Sequence, residues 1–335
     1  MARIVYRPRR PGVIDVYVNL RFFPDPRRIG EAVARWEELG VAGVVLGDHL
    51  FPPAAPYRSP QSSRGIDQLT MLTVVATLSE RLRVGTVASN VAFQHPLLLI
   101  RKFATLAVLY GGDRVYAGFG AGWARRELEA IGLPLPPLAE RLDRLEEALR
   151  LARQLFDEGF ADEGGDHVLA HELPLAPRPE TPPRILVGGG SERLVRLAGR
   201  YCDHIDLNAP SHRRSRIEPQ RKLTTTVADL EQSVATLRDA EAQAGRPPGS
   251  VAVSAVVTDI AFCRESELDA ESERICAAAE LPARSLLDSP FVLLGEPQRM
   301  ADALRERQER LGLAWIGIPF SDVERFSADV APLLA

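Results

Sequence analysis

Cysteine is scarce in this chain of 335 residues: Cys202, Cys263 and Cys276 are odd in number and widely spaced. No pair of them makes a metal or redox motif, which argues against a disulfide scaffold and makes a reducing cytosol the default. Lysine is scarcer still, with Lys102 and Lys222 the only lysines among 41 basic residues. The positive charge is therefore arginine, the side chain suited to planar anions. Net charge is −4 with acids and bases interspersed, so the basic footprint of a nucleic-acid binder is missing. Long apolar runs are missing too; none approaches the ~20 residues that would cross a membrane. Residues 1–12 are basic and proline-punctuated, and the apolar run after them is interrupted by Asp15 and Asn19. No cleavage-site pattern follows, so a signal peptide is not expected. The expectation is a soluble, cytoplasmic protein.

What the chain does have is alternation. Short apolar runs at 13–20, 41–46, 82–88, 114–119, 184–187, 202–207, 251–257 and 315–318 read as strands. Between and after them, amphipathic stretches at 26–39, 68–80, 96–110, 139–157, 227–244, 297–311 and 321–334, with one ending at Gly199, read as helices. Eight such units predict a single α/β domain over residues 1–335, a (β/α)8 TIM barrel whose core of ~250 residues leaves room for insertions. The insertions fall near 51–67, 160–183, 208–224 and 259–290; residues 265–287 look helical and 160–183 a hairpin-like excursion. A doubly wound open sheet is the runner-up, disfavoured by the missing dinucleotide fingerprint. In a barrel, function gathers at the carboxyl ends of the strands.

Four fragments stand at those ends. Asp48 and His49 close the second strand, and imidazole is the side-chain type suited to moving a proton near neutral pH. Val87, Ala88 and Asn90 follow the third. After the fourth come Gly118, Gly120 and Gly122, with Ala121 between and Trp123 directly behind. A dinucleotide loop needs a third glycine where Trp123 stands, so these glycines are either a tight turn or a pocket wall, and the aromatic favours the wall beside a planar ligand. Gly188, Gly189, Gly190 and Ser191 lie between the fifth strand and a helix, where backbone N–H groups converge on an anion. The bland alternative there is a helix start capped by Ser191. His95, His204 and His212 have no such support, and the spacing of His167 and His171 lies outside any helical pattern, so no metal site is expected. The charge run 141–150 (RLDRLEEALR) reads as a solvated helix face.

These fragments together resemble the luciferase-like flavin and deazaflavin oxidoreductases: GDH after strand two, GTVASN after strand three, GFGAGWARRELEAIG after strand four, RILVGGGSERLVRLAGRYCDHIDLN across strands five and six. The tail SPFVLLGEPQRMADALRERQERLGLAWIGI resembles a branch of presumed F420-dependent members. The resemblance implies a dimeric barrel holding coenzyme F420 or, alternatively, FMN in its mouth. Asp48, His49 and Asn90 would then lie at the ring, with His49 as proton donor or acceptor. The Val87–Ala88 peptide, cis in many members, would back the ring; residues 120–123 would line it, and 188–191 would hold the phosphate. Two departures speak against sugar-phosphate oxidation: Pro53 stands where those dehydrogenases carry tryptophan, and Trp123 where they carry glutamate. The resemblance therefore implies an F420-dependent hydride transfer to or from a small organic substrate. An FMN-dependent monooxygenase and a non-catalytic cofactor-binding protein are the alternatives. The arginines Arg213, Arg214 and Arg216 suit the polyglutamate tail of F420, or a solvated loop.

Overall fold

Strands come first where β-branched and aromatic residues cluster between chain-breaking loops. A computed structural model describes residues 13–20, 25–51, 65–209 and 220–334. In chain order its elements begin with β1 (Asp15–Asn19) and α1 (Ile29–Glu38), which buries Ile29, Val33 and Trp36 at helical spacing. Next come β2 (Gly43–Leu46), α2 (Gln68–Leu78), β3 (Arg83–Thr86) and the short β4 (Ser89–Asn90). α3 (Pro96–Tyr110) starts on a proline, whose missing N–H costs nothing there, and leads to β5 (Val115–Gly120). α4 (Arg125–Ala130) and α5 (Leu138–Glu158) precede an antiparallel hairpin, β6 (Phe160–Gly164) with β7 (Leu169–Pro174). Regular alternation resumes with β8 (Arg184–Gly189), α6 (Glu192–Tyr201), β9 (His204–Leu207), α7 (Gln220–Thr224), α8 (Val227–Gln243) and β10 (Ala252–Val256). The chain then runs through β11 (Asp259–Phe262), α9 (Leu268–Ala278), β12 (Val292–Gly295), α10 (Pro297–Leu311), β13 (Leu313–Pro319) and α11 (Val323–Asp329).

Among the described residues, β1, β2, β3, β5, β8, β9, β10 and β13 form one parallel ring. It closes where β13 pairs with β1 (Asp15 opposite Trp315) and β3 with β5 (Val84 opposite Val115). Closure excludes the open sheet and makes the expected (β/α)8 barrel. Along each strand, side chains alternate between the helical shell and the axis. Tyr17, Val45, Tyr116, Leu186 and Trp315 plug the axis. Around this plug His204 stacks on Trp315 at 5.1 Å between centroids, and the Arg83 guanidinium meets Asp15 at 3.3 Å. Burial pushes the His204 imidazole down to about 3, so it sits neutral within the barrel. Towards the carboxyl ends the filling stops, because β5 and β8 carry Gly120 and Gly188 there and Gly47 follows β2. That leaves the barrel open at one end.

Three segments differ from the sequence-based expectation. Residues 265–287, expected to be helical, hold only the helix α9 with its short lead-in turn, and β11 and β12 flank it as a separate parallel pair. This unit has its own core, in which Ile275, Cys276, Val292 and Leu294 pack against Leu223 of α7. α4 was not foreseen. The closing helix expected over 321–334 is shorter, α11 being followed by a 3-10 turn at Ala331–Leu334. Cys202 and Cys276 are buried, Cys263 partly so, and all are free thiols.

Candidate active site

The open end of the barrel is a cavity of about 1010 Å³. Asp48 and His49, then Val87, Ala88 and Asn90, then residues 120–123 and 188–191 all line it, so the four fragments meet on one wall. Backbone geometry explains several of these residue types. Gly122 has a φ of +72°, and a Cβ there would fall 2.3 Å from the Asn90 side-chain oxygen. A Cβ on Gly190 would fall 2.3 Å from the Asn208 carbonyl. Ser191 also caps α6, accepting from Leu194 N at 3.4 Å, so the bland assignment for this residue holds alongside its place in the wall.

The Val87–Ala88 peptide is cis. Polar contacts stitch the segment after it in place. Gln68 Nε2 donates to Ser89 Oγ (2.8 Å), which donates to Thr86 Oγ1 (3.0 Å), which donates to the Gly118 carbonyl (2.9 Å). Asp48 Oδ2 accepts from the Asn90 backbone N–H at 2.9 Å, and Asn90 Oδ1 accepts from Ala92 N at 2.9 Å. Burial pushes the Asp48 carboxyl up to about 6, with the Asn90 N–H opposing it. Asp48 therefore links the β2 end to the segment that carries Ala88.

His49 has a partner that the sequence did not point to. Its Nδ1 lies 3.0 Å from Glu127 Oε2, with the two side chains 18% and 1% exposed. Glu127 Oε1 also accepts from Phe51 N at 3.3 Å. The Trp123 ring meets His49 edge-on, 5.7 Å between centroids. Glu127 is four residues beyond Trp123, in the first turn of α4, and its role becomes legible only once that helix is seen.

Arg141 corrects an expectation. The run 141–150 was expected to be a solvated helix face, yet Arg141 is 5% exposed and lines the cavity. It donates through Nε to Pro136 O at 3.0 Å and through Nη1 to Gly122 O. Among the described residues no carboxylate pairs with it, and burial pushes its guanidinium below the usual arginine range. A buried cation without a counter-ion beside a helix N-terminus is suited to an anion. The period of α5 hides this, because the other charged residues of the run, Asp143, Arg144, Glu146, Glu147 and Arg150, are partly exposed while its first residue reaches the Gly122 carbonyl.

The far wall adds Asp206, Val256, Ile275 and Lys222. Burial pushes the Asp206 carboxyl up to about 7, opposed by Lys222 and by the Ser254 hydroxyl. Two other histidines make contacts away from the cavity. His95 caps α3 by accepting from Leu97 N at 3.3 Å, and His171 pairs with Asp162 on the hairpin at 3.1 Å. Among the described residues no group of His, Cys, Asp and Glu could hold a metal ion, and no helix is long and apolar enough to cross a membrane. Pro53, His212, Arg213, Arg214 and Arg216 lie outside the described residues.

Comparison with known proteins agrees with the fold. The F420-dependent glucose-6-phosphate dehydrogenase of Kribbella flavida is 31% identical over 179 residues, 53% of this chain and 52% of that protein. The chain thus spans about half the length of the curated relatives it matches. Two solved structures share the fold: an F420-dependent secondary alcohol dehydrogenase in complex with an F420-acetone adduct, and a monooxygenase from Streptomyces bottropensis. The first has a TM-score of 0.77 at 17% identity, covering 96% of this chain and 99% of that one. The second has 0.71 at 20%, covering 96% and 98%. The family model for luciferase-like monooxygenases matches residues 5–314, which include all four fragments and the strands that carry them. The chain belongs to the luciferase-like monooxygenase family.

Proposed function

We propose that this protein is an oxidoreductase that uses coenzyme F420 and transfers a hydride between it and a small organic substrate. The observation that carries the reading is the His49–Glu127 pair at the cavity wall, beside the glycine-lined floor. The half-length similarity to F420-dependent dehydrogenases supports the choice of cofactor.

The residues fit such a group. Gly120 packs against Ala88, a Cβ there standing 3.2 Å from the Ala88 methyl, so only small groups line this part of the cavity. Trp123 would wall the ring. Residues 188–191, the α6 N-terminus and Arg141 would hold the phosphate. When bound, the deazaflavin supplies two-electron chemistry at C5 and reacts poorly with oxygen.

The chain's own contribution is positioning and proton transfer. An ionised Glu127 can only accept, so His49 Nδ1–H donates to it and Nε2 is left to take or give the substrate's proton. Asp48, accepting from the Asn90 N–H, fixes that end of the wall, where the ring would lie. Residues of α7 and α9 line the cavity beyond the strand ends, where they would shield a bound substrate from water.

Calorimetric titration with F420 and with FMN tests the reading. Micromolar binding of F420 and at least about tenfold weaker binding of FMN is expected. The reverse order would make the protein an FMN-dependent monooxygenase instead. If turnover survives His49→Ala unchanged, the role given to that residue is wrong.

A further inference from the structure

All the residues given to the cofactor above come from the β2, β3, β5 and β8 side of the barrel and from α5. The opposite wall belongs to the same cavity and has no occupant in that scheme. It is built by β9, β10 and β13 and roofed by α7 and α9. Val256, Leu223, Ile275, Ala278, Ala279 and Pro319 make much of it apolar. Polar residues such as Asn208 and Thr258 stand beyond the strand ends, nearer the rim.

One acid is set into this wall below them. Asp206 is 3% exposed, and its register neighbours are Gly188 on β8 and Ser254 on β10. Ser254 Oγ donates to Asp206 Oδ1 at 3.1 Å, and the same hydroxyl lies 3.4 Å from the Ile205 carbonyl. Among the described residues no other hydrogen bond and no ion pair reaches the Asp206 carboxyl; Lys222 acts on it only at longer range. A carboxyl offers about four acceptor sites, and here a shared hydroxyl fills one. Burying such a group costs free energy unless it is hydrogen-bonded, and valine would fill this strand position without that cost. The unfilled capacity faces the cavity. Burial also moves the carboxyl close to neutrality, and either protonation state can receive a hydroxyl proton.

We propose that Asp206 anchors the substrate by accepting a hydrogen bond from a hydroxyl group on a compact, otherwise apolar molecule. The site thereby selects an alcohol. An ammonium group would meet Lys222, and a sugar phosphate would leave most of its polar groups against apolar side chains. The assignment rests on the cofactor reading, which leaves this wall to the substrate.

Benzyl alcohol and toluene, titrated into wild type, Asp206→Val and Asp206→Asn with and without saturating F420, test it. F420 is titrated separately into each. Wild type is expected to prefer the alcohol by at least about tenfold; Asp206→Val loses the preference, and Asp206→Asn, still an acceptor, keeps it within about threefold. F420 affinity stays the same in all three. Difference infrared spectroscopy gives an answer even where the valine variant does not fold. Benzyl alcohol must shift a carboxyl band in wild type that is absent from Asp206→Asn, and an unshifted band overturns the anchor. So does a preference that persists in Asp206→Val, or none in wild type. A loss of F420 affinity in step with the alcohol preference overturns it too, by giving Asp206 to the cofactor. If wild type takes up no F420 while the alcohol preference follows Asp206, the cofactor reading fails and the anchor stands.

Discussion

At the scale of single residues, the site is a set of buried polar groups whose partners decide what each can do. Glu127 sits in the cavity wall with its side chain 1% exposed and its two carboxylate oxygens taken by His49 and a backbone N–H, so it acts by positioning the imidazole. Glu127→Gln is expected to lower kcat about 10- to 100-fold with F420 affinity unchanged, while His49→Ala costs about 100-fold or more; steady-state kinetics beside calorimetry checks both. Asp48 and Asp206 give a pH effect whose sign is fixed. Their folded carboxyls are pushed up to about 6 and about 7, above the ~3.9 of an unfolded aspartate. The folded state therefore holds more protons across that window, and stability falls as pH rises through it. Asp206→Asn should remove its share, on the order of 4 kcal/mol at most, so that thermal unfolding midpoints at pH about 5 and about 7.5 differ less in the variant than in wild type.

At the scale of elements, loop ends do the work and the strands aim them. Gly190 lies against the carbonyls of Asn208 and Ala209, so Gly190→Ala forces residues 188–191 away from β9. A loss of about 1–3 kcal/mol in denaturant unfolding is expected, together with weaker binding of phosphorylated cofactor. Arg141→Gln should weaken F420 binding while leaving the phosphate-free chromophore bound as before, which calorimetry with the two ligands separates. Elements with a long regular pattern were legible: α3 and α10 begin and end where proline and apolar spacing predict. α4 was not, because six residues with only Glu127 and Leu128 buried make no stripe. β11 was not either, since all four of its residues are partly buried and show no alternation. Each contributes a residue to the cavity lining, Glu127 from α4 and Asp259 from β11.

At the scale of the whole molecule, closure brings β2 and β9 to opposite sides of the ring, four strand steps apart in either direction. That separation is what places a proton carrier and a second polar anchor across one cavity. The homodimer implied by the family resemblance is a proposal at this scale. Leu78 on α2 and Leu98 and Leu109 on α3 are 49%, 54% and 61% exposed. Light scattering is expected to give twice the chain mass, falling to one chain mass in the double variant Leu98→Glu with Leu109→Glu; a monomeric wild type would refute it.

By itself the sequence determined the alternation of strands and helices, the glycines at the strand ends and the position of His49 after the second strand, because these follow from side-chain periodicity and backbone sterics over a few neighbours. Tertiary structure alone decided that Arg141 turns inward, that Glu127 holds His49 and that Asp206 is buried beside Ser254. Each depends on how deep a residue lies and on what a distant segment places against it, and local periodicity carries neither.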